Sequence, residues 1–217
     1  MDTGSLISFE GLDGAGKTTQ MDLLESWLAE HHIPYIRTRE PGGTLLGAEI
    51  RHLLLHRPEL AITPLAEALL FQADRAQHFA TVVLPALNRG QLVITDRCFD
   101  ASIAYQGYTR GVGVELVERL SLLATQGRVP DLTILLDLDP TQVHLRTDAA
   151  RDQRGLREQQ TRFDAEAESF HRRVQEGFRL LARTHPERIK VVDASLPPEQ
   201  IHQEITRLVE PLLKSLK

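Results

Sequence analysis

Gly11-Leu12-Asp13-Gly14-Ala15-Gly16-Lys17-Thr18 is the stretch on which the fold turns. It satisfies G-x-x-x-x-G-K-[ST], follows the β-rich run Leu6–Glu10 and opens a helical pattern at Lys17, the strand, loop and helix order of a phosphate-binding loop (P-loop). Gly11, Gly14 and Gly16 let successive backbone N–H groups turn inward around phosphate oxygens, and the helix N-terminus adds the positive end of its dipole. Leu12, Asp13, Ala15 and Thr19 complete the cradle. Lys17 supplies a compact positive charge to the β- and γ-phosphates, and the Thr18 hydroxyl suits Mg²⁺. A nucleoside triphosphate is the expected ligand.

Outward from the loop, apolar β-rich runs recur at Leu6–Glu10, Tyr35–Arg39, Leu92–Asp96, Leu132–Asp137 and Ile189–Asp193, separated by helical patterns. This alternation predicts an α/β fold with a five-stranded parallel sheet flanked by helices. Met21, Leu24, Trp27 and Leu28 form one helical stripe, and Leu53 and Leu54 continue Ile50. Leu69, Leu70 and Ala73 lie on a long helical segment, residues 64–89, with Pro64 in its first turn. Residues 198–216 repeat the pattern with Ile201, Ile205, Leu208, Leu212 and Leu213. Nothing resembling a linker divides the chain, so residues 1–217 are expected to form a single domain. The exception in character is the Arg-, Gln- and acid-rich stretch before Phe163, where residues 141–162 read either as an exposed lid-like insertion or as a solvated hairpin with i,i+4 charge pairs.

Composition narrows the function. A net charge of −5 argues against a nucleic-acid binder, and no run approaches the ~20 apolar residues of a membrane span. The N-terminus carries no signal-peptide pattern, so a cytoplasmic protein is expected. Cys98 is the single cysteine, which excludes an internal disulfide. Of the 25 basic residues only Lys17, Lys190, Lys214 and Lys217 are lysine. No Asn/Thr-Lys-x-Asp guanine loop and no Ser-Gly-Gly-Gln transporter signature is present, and the chain is short for a helicase or motor. A small-molecule kinase remains, with an idle nucleotide-binding module as its rival. Asp96, at the carboxyl end of a central strand, is a candidate to hold Mg²⁺ or its water, and Arg97 beside it can fork onto a phosphate.

Four motifs then carry a resemblance. Phe9-Glu10-Gly11-Leu12-Asp13-Gly14-Ala15-Gly16-Lys17-Thr18-Thr19-Gln20, Arg39-Glu40-Pro41-Gly42-Gly43-Thr44, Leu70-Phe71-Gln72-Ala73-Asp74-Arg75-Ala76-Gln77-His78, and Asp96-Arg97 through Ala104-Tyr105-Gln106-Gly107 occur in the order of the bacterial thymidylate kinase family. The resemblance spans nearly the whole chain. It implies the P-loop nucleoside monophosphate kinase fold, a cytosolic homodimer, and transfer of the ATP γ-phosphoryl group to dTMP with Mg²⁺, giving dTDP and ADP for dTTP biosynthesis.

The same resemblance assigns roles. Phe71 stacks on thymine, and Arg75, four residues on and on the same helix face, donates to the base carbonyl O4. A donor there disfavours cytosine, whose amine would leave unpaired groups costing about 1–3 kcal/mol. Arg51 and Arg97 match residues holding the acceptor phosphate, and Ser102 and Gln106 match positions near base and sugar. Tyr105 matches the residue that disfavours a 2′-hydroxyl, Asp13 a carboxylate near the 3′-hydroxyl, and Glu40 an acidic residue near the acceptor. The P-loop has no arginine after Ala15, so the resemblance implies a catalytic arginine in the lid, with Arg151, Arg154 and Arg157 as candidates. Cys98 and Ala101 depart from the family pattern. Cys98 is expected to be an inert packing residue.

Overall fold

The computed structural model describes residues 4–143, 161–163 and 166–213. Strands β1 (Leu6–Glu10), β2 (Tyr35–Arg39), β3 (Leu92–Asp96), β4 (Leu132–Asp137) and β5 (Ile189–Asp193) form one parallel sheet in the order β2-β3-β1-β4-β5. All five have the bounds that the apolar runs predict. β1 is buried throughout because both faces of the sheet are covered, whereas β2, at an edge, is only partly buried.

The order places the chemistry. β1 connects to β2 in one direction and its neighbour β3 connects to β4 in the other, which makes the crevice beyond β1 and β3 the topological switch point where ligands bind in open α/β sheets. Phe9 lies in register with Asp96, so the P-loop and the Asp96-Arg97 turn leave the sheet side by side.

Helices α1 (Lys17–Glu30), α2 (Leu45–His56), α3 (Pro64–His78), α4 (Leu84–Asn88), α5 (Phe99–Ser102), α6 (Val114–Ala124), α7 (Glu168–Thr184) and α8 (Pro198–Leu213) surround the sheet. α1 buries Met21, Leu24 and Leu28, the predicted stripe. α3 runs through a wide π-helical segment, Phe79–Val83, into α4, and α5 continues into a second, Ile103–Thr109. Beneath α5, Arg188 forks onto Asp100 at 2.6 and 2.8 Å. Thr133 Oγ1 donates to the same carboxylate at 2.8 Å and reaches Ser8 Oγ at 2.9 Å, tying the helix to β1 and β4.

The helical segment expected over residues 64–89 forms, but the face that α3 turns to the interior is largely polar. Of the apolar residues that mark α3, Leu69 is 48% exposed, Ala73 is exposed and only Leu70 is partly buried against the core, while Glu67, Gln72, Asp74, Arg75 and His78 are buried. The reason is that α3 walls a polar cavity, where its charged groups satisfy one another. Of the described residues in the stretch 141–162, Thr141 and Gln142 are exposed, Val143 is buried and Arg162 is half-buried, bonded to Glu67 Oε2 (2.5 Å) and to the carbonyl of Leu54 (3.2 Å). Arg151, Arg154 and Arg157 lie outside the described residues. Among the described residues no helix is long and apolar enough to cross a membrane.

Candidate active site

The P-loop is built from main chain. Gly16 caps α1 with φ 98°, a left-handed conformation that glycine adopts without a Cβ penalty. Gly11 has φ 131°, and a Cβ there would lie 2.5 Å from the carbonyl oxygen of Leu136 on the neighbouring strand. Lys17 is buried with its ammonium donating to the carbonyls of Leu12 (3.0 Å) and Gly11 (3.3 Å), 3.7 Å from Asp13. Burial, and then the Arg97 charge, lower its pKa against the pull of Asp13, Asp96 and Glu10.

Arg97 occupies the turn beside it. Its φ of 64° is unusual for a residue with a Cβ and costs on the order of 1 kcal/mol or more. Two bonds brace the turn: the Arg97 N–H donates to the Phe9 carbonyl (3.0 Å), and the Cys98 N–H donates to Glu10 Oε1 (2.8 Å). The guanidinium donates to Asp13 (2.8 Å) and to the Tyr105 hydroxyl (3.3 Å) and lies 5.1 Å from the Tyr105 ring centroid. Its second nitrogen, Nη1, is buried with no hydrogen-bond acceptor among the described residues, 4.0 Å from Glu10 Oε2. A guanidinium edge with a free donor at a cavity wall suits a phosphate oxygen.

The charges here are set by their neighbours. Partial burial opposes ionisation of Asp13, yet Arg97 and Lys17 hold its carboxyl well below the usual carboxylate range. Glu10, fully buried, is pushed up to about 8 by desolvation, with Arg97 partly offsetting it. Burial also raises the Tyr105 hydroxyl.

Asp13, Glu40, Arg51, Phe71, Arg75, Arg97, Ser102, Tyr105 and Gln106 line one cavity, together with Pro41, Leu55, Cys98, Ala101, Thr161 and Phe163. All nine acceptor-side residues named from the sequence therefore meet, although they come from the P-loop, the segment after β2, α2, α3, the turn after β3, α5 and the π-helical segment that follows it. Phe71 faces Phe163 at 6.3 Å, and Tyr105 meets Phe163 edge-on at 5.8 Å. Arg51 donates to the Pro41 carbonyl (2.9 Å), and the Gln106 amide donates to Glu67 (2.9 Å). Arg75 is fully buried, donating to Glu40, Gln72, Ser102, Ser121 and the carbonyl of Cys98.

A second hollow joins Thr18 and Asp96 with Arg37, Thr38, Arg39, Gly42 and Gly43. Asp96 Oδ1 is buried with no hydrogen-bond partner among the described residues, and a carboxylate with a nearby hydroxyl is the hard oxygen set that Mg²⁺ takes. The residues present thus fit that ion.

Cys98 contributes its main chain, since its side chain is 1% exposed and burial raises its thiol well above the usual value. Sequence reasoning missed Thr38, His78, Gln72 and Ser121, which bond to or behind Arg75 and Glu40. The available signal was a polar stripe at helical spacing, Glu67, Asp74, Arg75 and His78, around Phe71.

Comparison with known proteins accords with this geometry. A family model described as thymidylate kinase matches residues 9–205. A thymidylate kinase of Clavibacter sepedonicus is 51% identical over 206 residues, covering 94% of this chain and 93% of its own. One of Leifsonia xyli subsp. xyli is 52% identical over 202 residues, covering 93% and 92%. The crystal structure of a thymidylate kinase from Ehrlichia chaffeensis superposes with a TM-score of 0.75 at 32% identity, covering 96% of this chain and 99% of that one. The doubly wound sheet is the P-loop nucleoside monophosphate kinase fold, and the chain belongs to the thymidylate kinase family.

Proposed function

We propose that the protein transfers the γ-phosphoryl group of ATP to the phosphate of dTMP, giving dTDP and ADP. The observation that carries this reading is the meeting of nine acceptor-side residues on one cavity that opens beside the P-loop through Asp13 and Arg97. In this reading Phe71 stacks on the base, Arg75 donates to its carbonyl, Ser102 and Gln106 flank base and sugar, and Tyr105 and Asp13 approach the sugar edge. Arg51 and Arg97 hold the acceptor phosphate, with Glu40 behind them. Gly11 to Thr19 cradle ATP, with Lys17 on the β- and γ-phosphates. Thr18 and Asp96 would hold Mg²⁺, which when bound neutralises phosphate charge.

No general base is required, because the acceptor phosphate is largely dianionic near neutral pH, its second pKa being about 6. Positioning and charge neutralisation carry the rate, and one of Arg151, Arg154 and Arg157 adds positive charge from a lid spanning roughly residues 141–162 of a single domain. We also assign a cytosolic homodimer. Leu45 and Leu46 on α2, Leu65 and Leu69 on α3, and Leu116 and Leu123 on α6 are all exposed, α3 packs against both α2 and α6, and exposed leucines on these neighbouring helices support self-association.

The test is ADP release with ATP and Mg²⁺ across dTMP, dUMP, dCMP, AMP and shikimate. A signal dominated by dTMP and reduced about 10³-fold in Lys17→Ala is expected. Tight ATP binding without turnover on any acceptor would replace this reading with that of an idle nucleotide-binding module.

A further inference from the structure

The acceptor cavity has a buried polar support that none of the roles above includes. Thr38 Oγ1 on β2 meets His78 Nε2 at 2.6 Å, and His78 Nδ1 meets Glu40 Oε1 at 2.8 Å. Glu40 Oε2 accepts from Arg75 Nε at 2.8 Å. His78, Glu40 and Arg75 are each at most 3% exposed. Burial raises the Glu40 carboxyl, but the Arg75 charge and the His78 bond outweigh it and leave the group below its ordinary value. An ionised Glu40 only accepts, so His78 Nδ1 carries the proton and donates, and the Thr38 hydroxyl is left to bond Nε2.

The loop after β2 is seated on this chain of bonds. A Cβ on Gly43 would lie 2.6 Å from His78 Cδ2 and 2.8 Å from Thr38 Oγ1. The Gly42 N–H donates to Asp74 Oδ1 (3.1 Å), fastening the loop to α3.

The effect is felt at Arg75. Five hydrogen bonds hold it: Nε donates to Glu40, the two Nη1 hydrogens are shared among Gln72, Ser102 and Ser121, and Nη2 donates to the Cys98 carbonyl. With both Nη1 hydrogens engaged, one Nη2 hydrogen is left without an acceptor among the described residues, on a side chain that lines the cavity. A guanidinium fixed at so many points cannot swing aside, and it cannot become an acceptor.

We propose that Thr38 and His78 are specificity-positioning residues: they orient Glu40, which locks Arg75 with a single donor free for a carbonyl-bearing pyrimidine and against an amino-bearing one. This rests on the reading of the cavity as the thymidylate site. Loosening the chain lets Arg75 retreat, which weakens binding of the carbonyl base and relieves the clash of donors with the amino base together.

The test is the ratio of kcat/KM for dTMP to that for dCMP, measured with the KM for ATP and with Tm. Thr38→Val, which removes only the hydroxyl, should lower the ratio about fivefold, and Thr38→Ser should restore it. His78→Leu should lower it further, about twentyfold. Leu24→Ala on α1 serves as a control that lowers Tm and keeps the ratio. A fall in Tm with the wild-type ratio retained in Thr38→Val overturns the proposal alone. A wild-type enzyme with no preference for dTMP overturns the reading of the cavity and the proposal with it.

Discussion

Helices α1 and α3 are nearly equal in length, 14 and 15 residues, and each serves one side of the site, but they are built in opposite ways. α1 buries an apolar face, Met21, Leu24 and Leu28, and offers its N-terminus, so its chemistry is that of main-chain N–H groups and the dipole. α3 buries Glu67, Asp74, Arg75 and His78 and turns Leu65 and Leu69 outward, so its chemistry is that of its flank. A helix that binds by its end keeps an ordinary core face. A helix that binds by its side needs that face for function and draws its stability from ion pairs and hydrogen bonds across the cavity wall.

Substitutions on the two helices should therefore fail differently. Arg75→Ala leaves Glu40 charged and buried with only His78 against it, so stability should fall by about 3–5 kcal/mol in denaturant titrations, and dTMP use should fall far more than ATP binding. Equal loss of both substrates would erase the distinction between end and flank. Leu24→Ala should lower stability by about 2–4 kcal/mol through a cavity in the core and leave the preference among acceptors unchanged.

A pH-dependent effect lies at Glu10, which grips the N–H of Cys98 while Arg75 grips its carbonyl. The Glu10 carboxyl rises from 4.5 to about 8 in the folded protein, so between these values the native state holds a proton that the unfolded chain has released. Its contribution to stability is fully present below about 4.5 and is lost as pH rises through about 8. Glu10→Gln keeps an acceptor for the Cys98 N–H and removes the titration. The Tm of the variant relative to wild type should therefore climb by several degrees from pH 5 to pH 8, and a flat difference would place the Glu10 proton elsewhere.

The same contrast explains what could be read beforehand. Strand bounds and the P-loop follow from local rules, alternation of apolar runs and glycine spacing, and the sheet accordingly appears where the runs are. Apart from Arg97, the acceptor residues were legible only through resemblance to a family, since Glu40, Arg75 and Ser102 are far apart in the chain and nothing local announces that they meet. The buried face of α3 is not legible from apolar periodicity, which locates a core only when the interior is apolar. Thr38 and His78 escaped because each bonds to a group 38 or 40 residues away, a relation fixed by the fold and not by spacing.

Lys17 is the only lysine before Lys190, and it sits with a lowered pKa against the carbonyls of its own loop. Between the N-terminal amine and Lys190, an acylating group carried on a nucleotide meets a single primary amine. Its covalent mark on the peptide containing Lys17, and protection of that peptide by ATP, would report occupancy of the nucleotide site residue by residue in a crude mixture, with no assay of turnover.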